Sequence, residues 1–465
     1  MKVAVVGGGI AGLTTAYEAQ KHGLSVTLID TRLGGKIMTD TSDGFVIEGG
    51  PDSFITQKPW GTALCQELGL ELISTNDDRR KIYILRRGKL HEMPDGLMMV
   101  VPTQFWPFIR SPLISWRGKL RMGMDLFIKP RPLNGDESLA HFIQRRLGQE
   151  ALDILAEPMM AGIYVADAET LSLQATFPRF MELEQKYGSL TRGMIAAGKH
   201  RPSTKSSLFM TVKGGLQGLV DALERALTGQ LLLGRQVKSI DRQGETYWLT
   251  CDDGTTLDAD VVVLATPAYV SAELVKPFSI ELASLLNNIR YVSTATVSLG
   301  YQRREVNHPL DGFGFVIPRT EPTRLLACTW TSTKFNHRAP EDSVLLRAFI
   351  GGTHHQELVQ HPDDKLVEIV REEYRQIMGI AATPSIARVF RWHRANPQYD
   401  VGHLERVGRM ESLCPPRLYL TGSAYRGVGL PDCIHQGQKT VEKILQFVKT
   451  HEGFRHESTP IGGVV

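Results

Sequence analysis

The sequence predicts a mixed α/β fold: a parallel-sheet unit of Rossmann type, joined to a second domain built on an antiparallel sheet and to an inserted helical lobe. Three observations predict it. Lys2 to Val6 is a short apolar run followed by glycines, a helical pattern and a second apolar run, "SVTLID", ending at Asp30. Between residues 86 and 179 the patterns are mostly helical, and beyond residue 290 several short segments alternate apolar and polar residues as strands do. With 465 residues, 42% of them hydrophobic and 22% charged, the chain has material for roughly two to four domains.

The first element is the strand Lys2 to Val6. Ile10, Leu13 and Tyr17 follow at helical spacing until Gly23 stops them, and "SVTLID" completes a βαβ unit. A helix carrying Leu64 and Leu68 ends at Gly69. From Arg86 to Arg131 the composition changes: Phe105, Trp106, Phe108, Trp116 and Phe127 are interleaved with nine basic and only three acidic side chains. The helical patterns "ESLAHFIQRRLG" and "EALDILAEPMM" continue this lobe. "GKHRPSTKSS", Gly198 to Ser207, reads as a flexible link. "KGGLQGLVDALERAL" is a helix entered through glycines, and "DADVVVLATP" a buried strand. Strands are expected at Thr294 to Tyr301, Gly314 to Pro318, Leu325 to Trp330 and Val344 to Ile350. A helix with Leu366, Ile369, Val370, Tyr374 and Ile377 on one face ends at Gly379. The strand "RLYLTG" and a last helix carrying Val441, Ile444, Leu445 and Val448 close the fold, and residues 451–465 read as a disordered tail. The expected partition is 1–50, 208–275 and 405–450 for the nucleotide unit, 51–85, 180–207 and 276–404 for the second domain, and 86–179 for the lobe.

Composition excludes several classes. The 53 basic and 50 acidic side chains balance too closely for a nucleic-acid partner. Five scattered cysteines without a CxxC pair give neither a disulfide framework nor a zinc site, which fits a reducing cytosol. No stretch reaches the roughly 18 to 20 apolar residues of a bilayer span, and the glycine-interrupted start is no signal peptide. A protein in the cytoplasm, at most peripheral to a membrane, is expected.

Gly7, Gly9 and Gly12 fit G-x-G-x-x-G between a strand and a helix, where glycine allows a tight turn, close approach to a pyrophosphate and helix-on-strand packing. Asp30, eighteen residues past Gly12, stands where a ribose would be held. "RLGGK" (Arg32 to Lys36) and "EGGPDS" (Glu48 to Ser53) suggest backbone wrapped around a larger, stationary ligand, which favours FAD over a diffusible nicotinamide. "GVGLPDCIHQG" (Gly427 to Gly437) repeats the device at the other end of the chain, with Pro431 suited to a first helical turn. One FAD held by its phosphates at the first turn and by its isoalloxazine ring at the second explains both, since helix-end amides stabilise a ring that gains negative charge on reduction.

These segments, with "GIYVADAETLSL" (Gly162 to Leu173) and "RWHRANPQYDVGH" (Arg391 to His403), resemble the bacterial FAD-dependent porphyrinogen oxidases of haem synthesis, in order, from residue 1 to about 449. The resemblance implies a para-hydroxybenzoate-hydroxylase-like FAD domain in three pieces. It puts the pyrophosphate at Gly7, Gly8, Gly9, Ile10, Ala11 and Gly12, and the ribose at Asp30 and Thr31. The flavin falls near Gly35, Lys36, Gly50, Pro51, Asp52 and Ser53, and adenine near Val237. Trp392, Gly427, Val428, Gly429 and Leu430 surround the ring; for Trp392 a core aromatic is the competing reading.

The reaction implied is the six-electron oxidation of coproporphyrinogen III, or alternatively protoporphyrinogen IX, in three hydride transfers to FAD with molecular oxygen reoxidising it. Such chemistry asks for neither a catalytic triad nor a metal. Substrate propionates call for basic residues; Lys81, with Arg80 beside it, matches a substrate-facing position of the family, the competing reading being a solvated charge run. Gly162, Ile163 and Tyr164 are candidates for the pocket wall, or for a packed turn. The basic aromatic lobe roofs a substrate channel, with transient contact to an anionic membrane surface as the second reading. A downstream haem-pathway enzyme is the implied protein partner. A flavin amine oxidase is the more distant alternative, disfavoured by "PQYDVGH".

Overall fold

Five parallel strands drawn from remote parts of the chain open the architecture: Gln230–Leu233, Ser25–Asp30, Lys2–Val6, Val261–Leu264 and Leu418–Leu420, in that spatial order. The structure is a computed structural model that describes residues 1–132, 135–199 and 207–457. Parallel strands are covered on both faces, which is why these segments read as unbroken apolar runs. Val3, Val5, Val261 and Val263 pack on helices Ile10–Lys21, Gln217–Ala226 and Leu430–Glu457. Ala4, Val6, Val262 and Leu264 pack on helix Ala268–Val275 and on an antiparallel meander, Val237–Gln243, Thr246–Cys251 and Thr256–Ala259. The first and last long helices meet at Gly437, where a Cβ would lie 2.8 Å from the Ala11 carbonyl oxygen.

The second sheet has seven strands: Ile386–Pro397, Tyr291–Gln302, Ser343–Gly351, Leu325–Trp330, Gly314–Val316, Ile82–Arg86 and Lys89–Glu92. All pairs are antiparallel except Gly314–Val316 with Ile82–Arg86. Ala295, Val297, Leu346 and Ala348 face helix Asp363–Met378, whose Leu366, Ile369, Val370 and Tyr374 complete that core. The alternate residues Thr294, Thr296, Arg347 and Phe349 face a large cavity.

The lobe differs from expectation at both ends. Lys89–Glu92 is the edge strand of the sheet, because the hairpin at Arg87 and Gly88 folds it back onto Ile82–Arg86. Helices Pro178–Tyr187 and Leu190–Lys199 bury Phe180, Leu183, Leu190 and Met194 in the lobe's core beside Phe142 and Leu155, not in the second domain. At the lobe's centre Arg146 is wholly buried, bound to Asp125, Glu184 and the carbonyls of Ile128 and Gly188. Leu152–Ala161 is a π-helix with Pro158 inside it; the wider coil tolerates a residue that cannot donate.

Most of the expected link, residues 200–206, lies outside the described residues, as do 458–465 of the expected tail. The last helix runs through Glu457, seven residues into that tail, since no proline interrupts it after Pro431.

Candidate active site

Backbone geometry at the first turn follows from its glycines. Gly7 has φ +114°, and a Cβ there would stand 2.8 Å from the carbonyl of Ala265; a Cβ at Gly12 would stand 1.9 Å from the oxygen of Gly7. The helix therefore starts directly against the strand. Gly9 caps that helix in extended conformation with no side chain over the first amides, leaving them open to the cavity. Asp30 accepts the N–H groups of Gly8 at 2.5 Å and Thr31 at 2.6 Å, so its carboxylate shapes the turn as well as facing the cavity. Gly34 donates to the Gly8 oxygen at 2.8 Å, laying the second glycine pair across the first turn.

The cavity measures about 1480 Å³ and runs from Asp30 and Val237 past Lys36 and Trp392 to Gly162, Ile163 and Tyr164. It brings together most of the expected residues: Gly7, Gly9, Ile10 and Ala11; Thr31, Gly35 and Lys36; Gly50, Pro51, Asp52 and Ser53; Val428, Gly429 and Leu430. Gly8, Gly12 and Gly427 stand behind its lining. Arg80 and Lys81 are not brought there: they line a separate cleft of about 830 Å³, and the Lys81 ammonium is held by Asp311 at 3.1 Å and Glu92 at 3.2 Å.

Around the middle of the cavity the Gly49 carbonyl collects three donors: Trp392 Nε1 at 2.8 Å, Thr296 Oγ1 at 3.0 Å and Arg347 Nη2 at 3.0 Å. Trp392 thus both lines the cavity and anchors the "EGGPDS" segment. Lys36 Nζ donates to the Ala395 carbonyl at 3.0 Å, and burial pushes its ammonium below the usual range. Asp52 pairs with Lys334 at 2.9 Å; burial alone would raise its carboxyl, but Lys334 and Arg347 hold it well below the ordinary carboxylate value.

The second turn is held by the motif that precedes it. Gly427 has φ +135° and no room for a Cβ beside Asp432. Its N–H donates to the Tyr399 hydroxyl at 2.8 Å, and that hydroxyl donates to the Ser423 carbonyl at 2.7 Å. His403 lies flat on the Tyr399 ring at 3.9 Å, donating from Nε2 to the Tyr425 carbonyl at 2.8 Å. Burial pushes His403 down to about 4, so it is neutral. Cys433 is a buried thiol pushed up to about 12 by desolvation. Tyr399, Lys334 and Arg347 escaped the sequence reading. For Arg347 a signal existed: a lone charge inside the apolar strand "SVLLRAFIG".

An uncapped helix start at one end, glycine backbone along the wall and a second helix start at Leu430 fit a flavin nucleotide lying along the cavity. Residues 10–445 match the flavin-containing amine oxidoreductases, and the chain belongs to that family. Within it, the chain is 38% identical over 463 residues to the coproporphyrinogen III oxidase of Bacillus subtilis (strain 168), covering 96% of this chain and 98% of that one. It is 36% identical to the coproporphyrinogen III oxidase of Staphylococcus aureus (strain NCTC 8325 / PS 47), with 95% and 98% covered. The chloroplastic protoporphyrinogen oxidase of Nicotiana tabacum is 30% identical, with 96% and 86% covered. Among solved structures, an Exiguobacterium sp. 255-15 protein whose name places it with the protoporphyrinogen oxidases superposes at TM-score 0.87, with 34% identity over 95% of this chain and 98% of that one.

Proposed function

We propose that this chain is an FAD-dependent oxidase that converts coproporphyrinogen III to coproporphyrin III in haem biosynthesis, with molecular oxygen as electron acceptor. The observation that carries the reading is the single cavity onto which both glycine turns and an apolar slot open. Its far end is walled by Met159, Ile163, Phe177, Ile317, Leu326 and Phe349, which suit a large, flat-going macrocycle. The near end, between Asp30 and Val237, leaves length for an adenosine, which favours FAD over a shorter flavin.

Bound there, FAD supplies hydride acceptance from the substrate and electron passage to oxygen. The chain's own groups do the rest. Amides at Gly429 and Leu430 meet negative charge with a helix start behind them. Trp392, Thr296 and Arg347 fix the Gly49 carbonyl, so the wall beside the ring does not shift. The apolar slot excludes water and holds the substrate at reacting distance. Four propionates on the substrate require cations near the mouth.

Protoporphyrinogen IX is the second reading, favoured by the tobacco relative's name. The exposed ridge of Trp116, Leu120, Met124 and Phe127, each more than half exposed and flanked by Arg110, Arg117 and Lys129, supports transient contact with an anionic membrane surface. No helix among the described residues is long and apolar enough to cross a membrane. The cytoplasm, at times its membrane face, is the compartment proposed, and a downstream haem-pathway enzyme the receiver of product.

Coproporphyrinogen III added anaerobically to the yellow protein should bleach the flavin, and admitting oxygen should return the colour with porphyrin fluorescence. Protoporphyrinogen IX run in parallel should react more slowly. Flavin that stays oxidised under both substrates refutes the reading.

A further inference from the structure

We propose that Arg319 is the carboxylate anchor at the mouth of the cavity, a role that rests on the porphyrinogen reading above. Among the described residues, seven lysines and arginines line the cavity, and six are committed within the protein. Lys58 pairs with Asp432 at 2.6 Å, Arg235 with Asp253 at 2.7 Å and Lys334 with Asp52 at 2.9 Å. Lys36 is spent on the Ala395 carbonyl, and Arg347 on the carbonyls of Gly49 and Gly50. The Arg394 guanidinium stacks on the Tyr269 ring, 4.1 Å from its centroid. Arg319 alone presents a guanidinium with no hydrogen bond, salt bridge or aromatic ring contact among the described residues.

Its setting suits the role. Arg319 follows strand Gly314–Val316 and is exposed while lining the cavity, which puts it at the rim. The adjoining wall is apolar: Met99, Met159, Ile317, Pro318 and Leu326. A macrocycle packed on that wall carries its acidic side chains outward to the rim. Glu157, on the π-helix, accepts the Arg319 backbone N–H at 3.4 Å and feels the positive charge of the guanidinium. No hydrogen bond or ion pair joins the two side chains among the described residues, so the donors of Arg319 remain open to a ligand. The other nearby carboxylate, Glu321, is occupied by the N–H groups of Arg87 and Gly88. A guanidinium offers a carboxylate two parallel donors, which a lysine does not.

The test uses the flavin-loaded protein and coproporphyrin III as a stable tetracarboxylate probe, with binding read from fluorescence quenching and turnover read in parallel. Arg319→Ala should weaken probe binding about tenfold and raise KM to match, with kcat within about twofold. Arg319→Lys should recover part of the loss, and Lys81→Ala should change neither quantity. An unaltered flavin spectrum reports that each variant is folded. Probe affinity and KM of Arg319→Ala both within twofold of wild type overturn the assignment. Wild-type protein that neither binds the probe nor bleaches with coproporphyrinogen III overturns the functional reading instead.

Discussion

Replacing Tyr399 with phenylalanine removes one oxygen atom from a side chain that is almost wholly buried, and that oxygen ties both sides of the second glycine turn together. The ring and its stack on His403 remain, so no cavity opens. Burial keeps the phenol protonated far above neutral pH, so it donates to Ser423 and accepts from Gly427 at every working pH. Phenylalanine does neither. Two net hydrogen bonds are worth about 2 kcal/mol, and leaving a partly buried carbonyl and N–H unpaired brings the loss to about 2–4 kcal/mol. Much of it falls on the second glycine turn, the segment proposed to face the flavin ring, because Gly427 sits at positive φ and the Tyr399 hydroxyl is the acceptor of its N–H. If half the loss is expressed in cofactor binding, FAD affinity drops by about 10-fold, the equivalent of about 1.4 kcal/mol. The assay is titration of flavin-stripped protein with FAD, followed by fluorescence, alongside the melting temperature of the loaded form. A dissociation constant within twofold of wild type and a melting point within a degree refute the reasoning, and would credit the Gln436 amide, 3.1 Å from the Gly427 carbonyl, with holding the turn.

Other outcomes follow from the same geometry. Burial pushes the Glu48 carboxyl up to about 7, against the N–H of Leu216 and the hydroxyl of Thr39 that it accepts. Folding therefore takes up a proton between about pH 4.5 and 7, and stability from this group is full below that window and lost as pH rises through it, by about 1.4 kcal/mol per unit. Glu48→Gln should flatten that part of the pH dependence in denaturant melts; an unchanged slope between pH 5 and 7.5 would count against the burial argument. Gly12→Ala drives a Cβ onto the Gly7 oxygen and should give protein without bound flavin, so a yellow variant with the wild-type absorbance ratio contradicts the close approach. Trp116→Ser combined with Leu120→Ser and Phe127→Ser should lose sedimentation with anionic vesicles while turnover in solution is kept; equal pelleting of variant and wild type argues against the ridge as a lipid contact.

What could be read from the residues, and what could not, divides along physical lines. Glycine turns are legible because their requirement is local: Gly7 needs its positive φ whatever surrounds it, and a strand before and a helix after are visible within thirty residues. The sheet strands were legible for a similar reason, since Thr294 to Tyr301 alternates between an oily face and a cavity face. Lys81 shows the opposite case. Its neighbours in sequence indicate a charged strand start, but its direction is set by Asp311, 230 positions away. Tyr399 lies within the "RWHRANPQYDVGH" segment, yet its task depends on Ser423 and Gly427 arriving beside it. Helices Pro178–Tyr187 and Leu190–Lys199 pack with the lobe's core, a neighbour their sequence does not name, because amphipathic spacing says that a face is buried without saying against what.

The contact of the opening helix with the closing one at Gly437 bears on how the protein is made. A polypeptide leaving the ribosome displays the first glycine turn long before the edge strand Leu418–Leu420 and the helix beyond it. Until they arrive, the nascent nucleotide unit is an unfinished sheet with an uncovered flank, while the lobe and the seven-stranded sheet already have their full complement of segments. A chain cut short before residue 430 lacks the helix start that closes one wall of the cavity, so it should purify without bound flavin, and a yellow product truncated there would contradict that requirement.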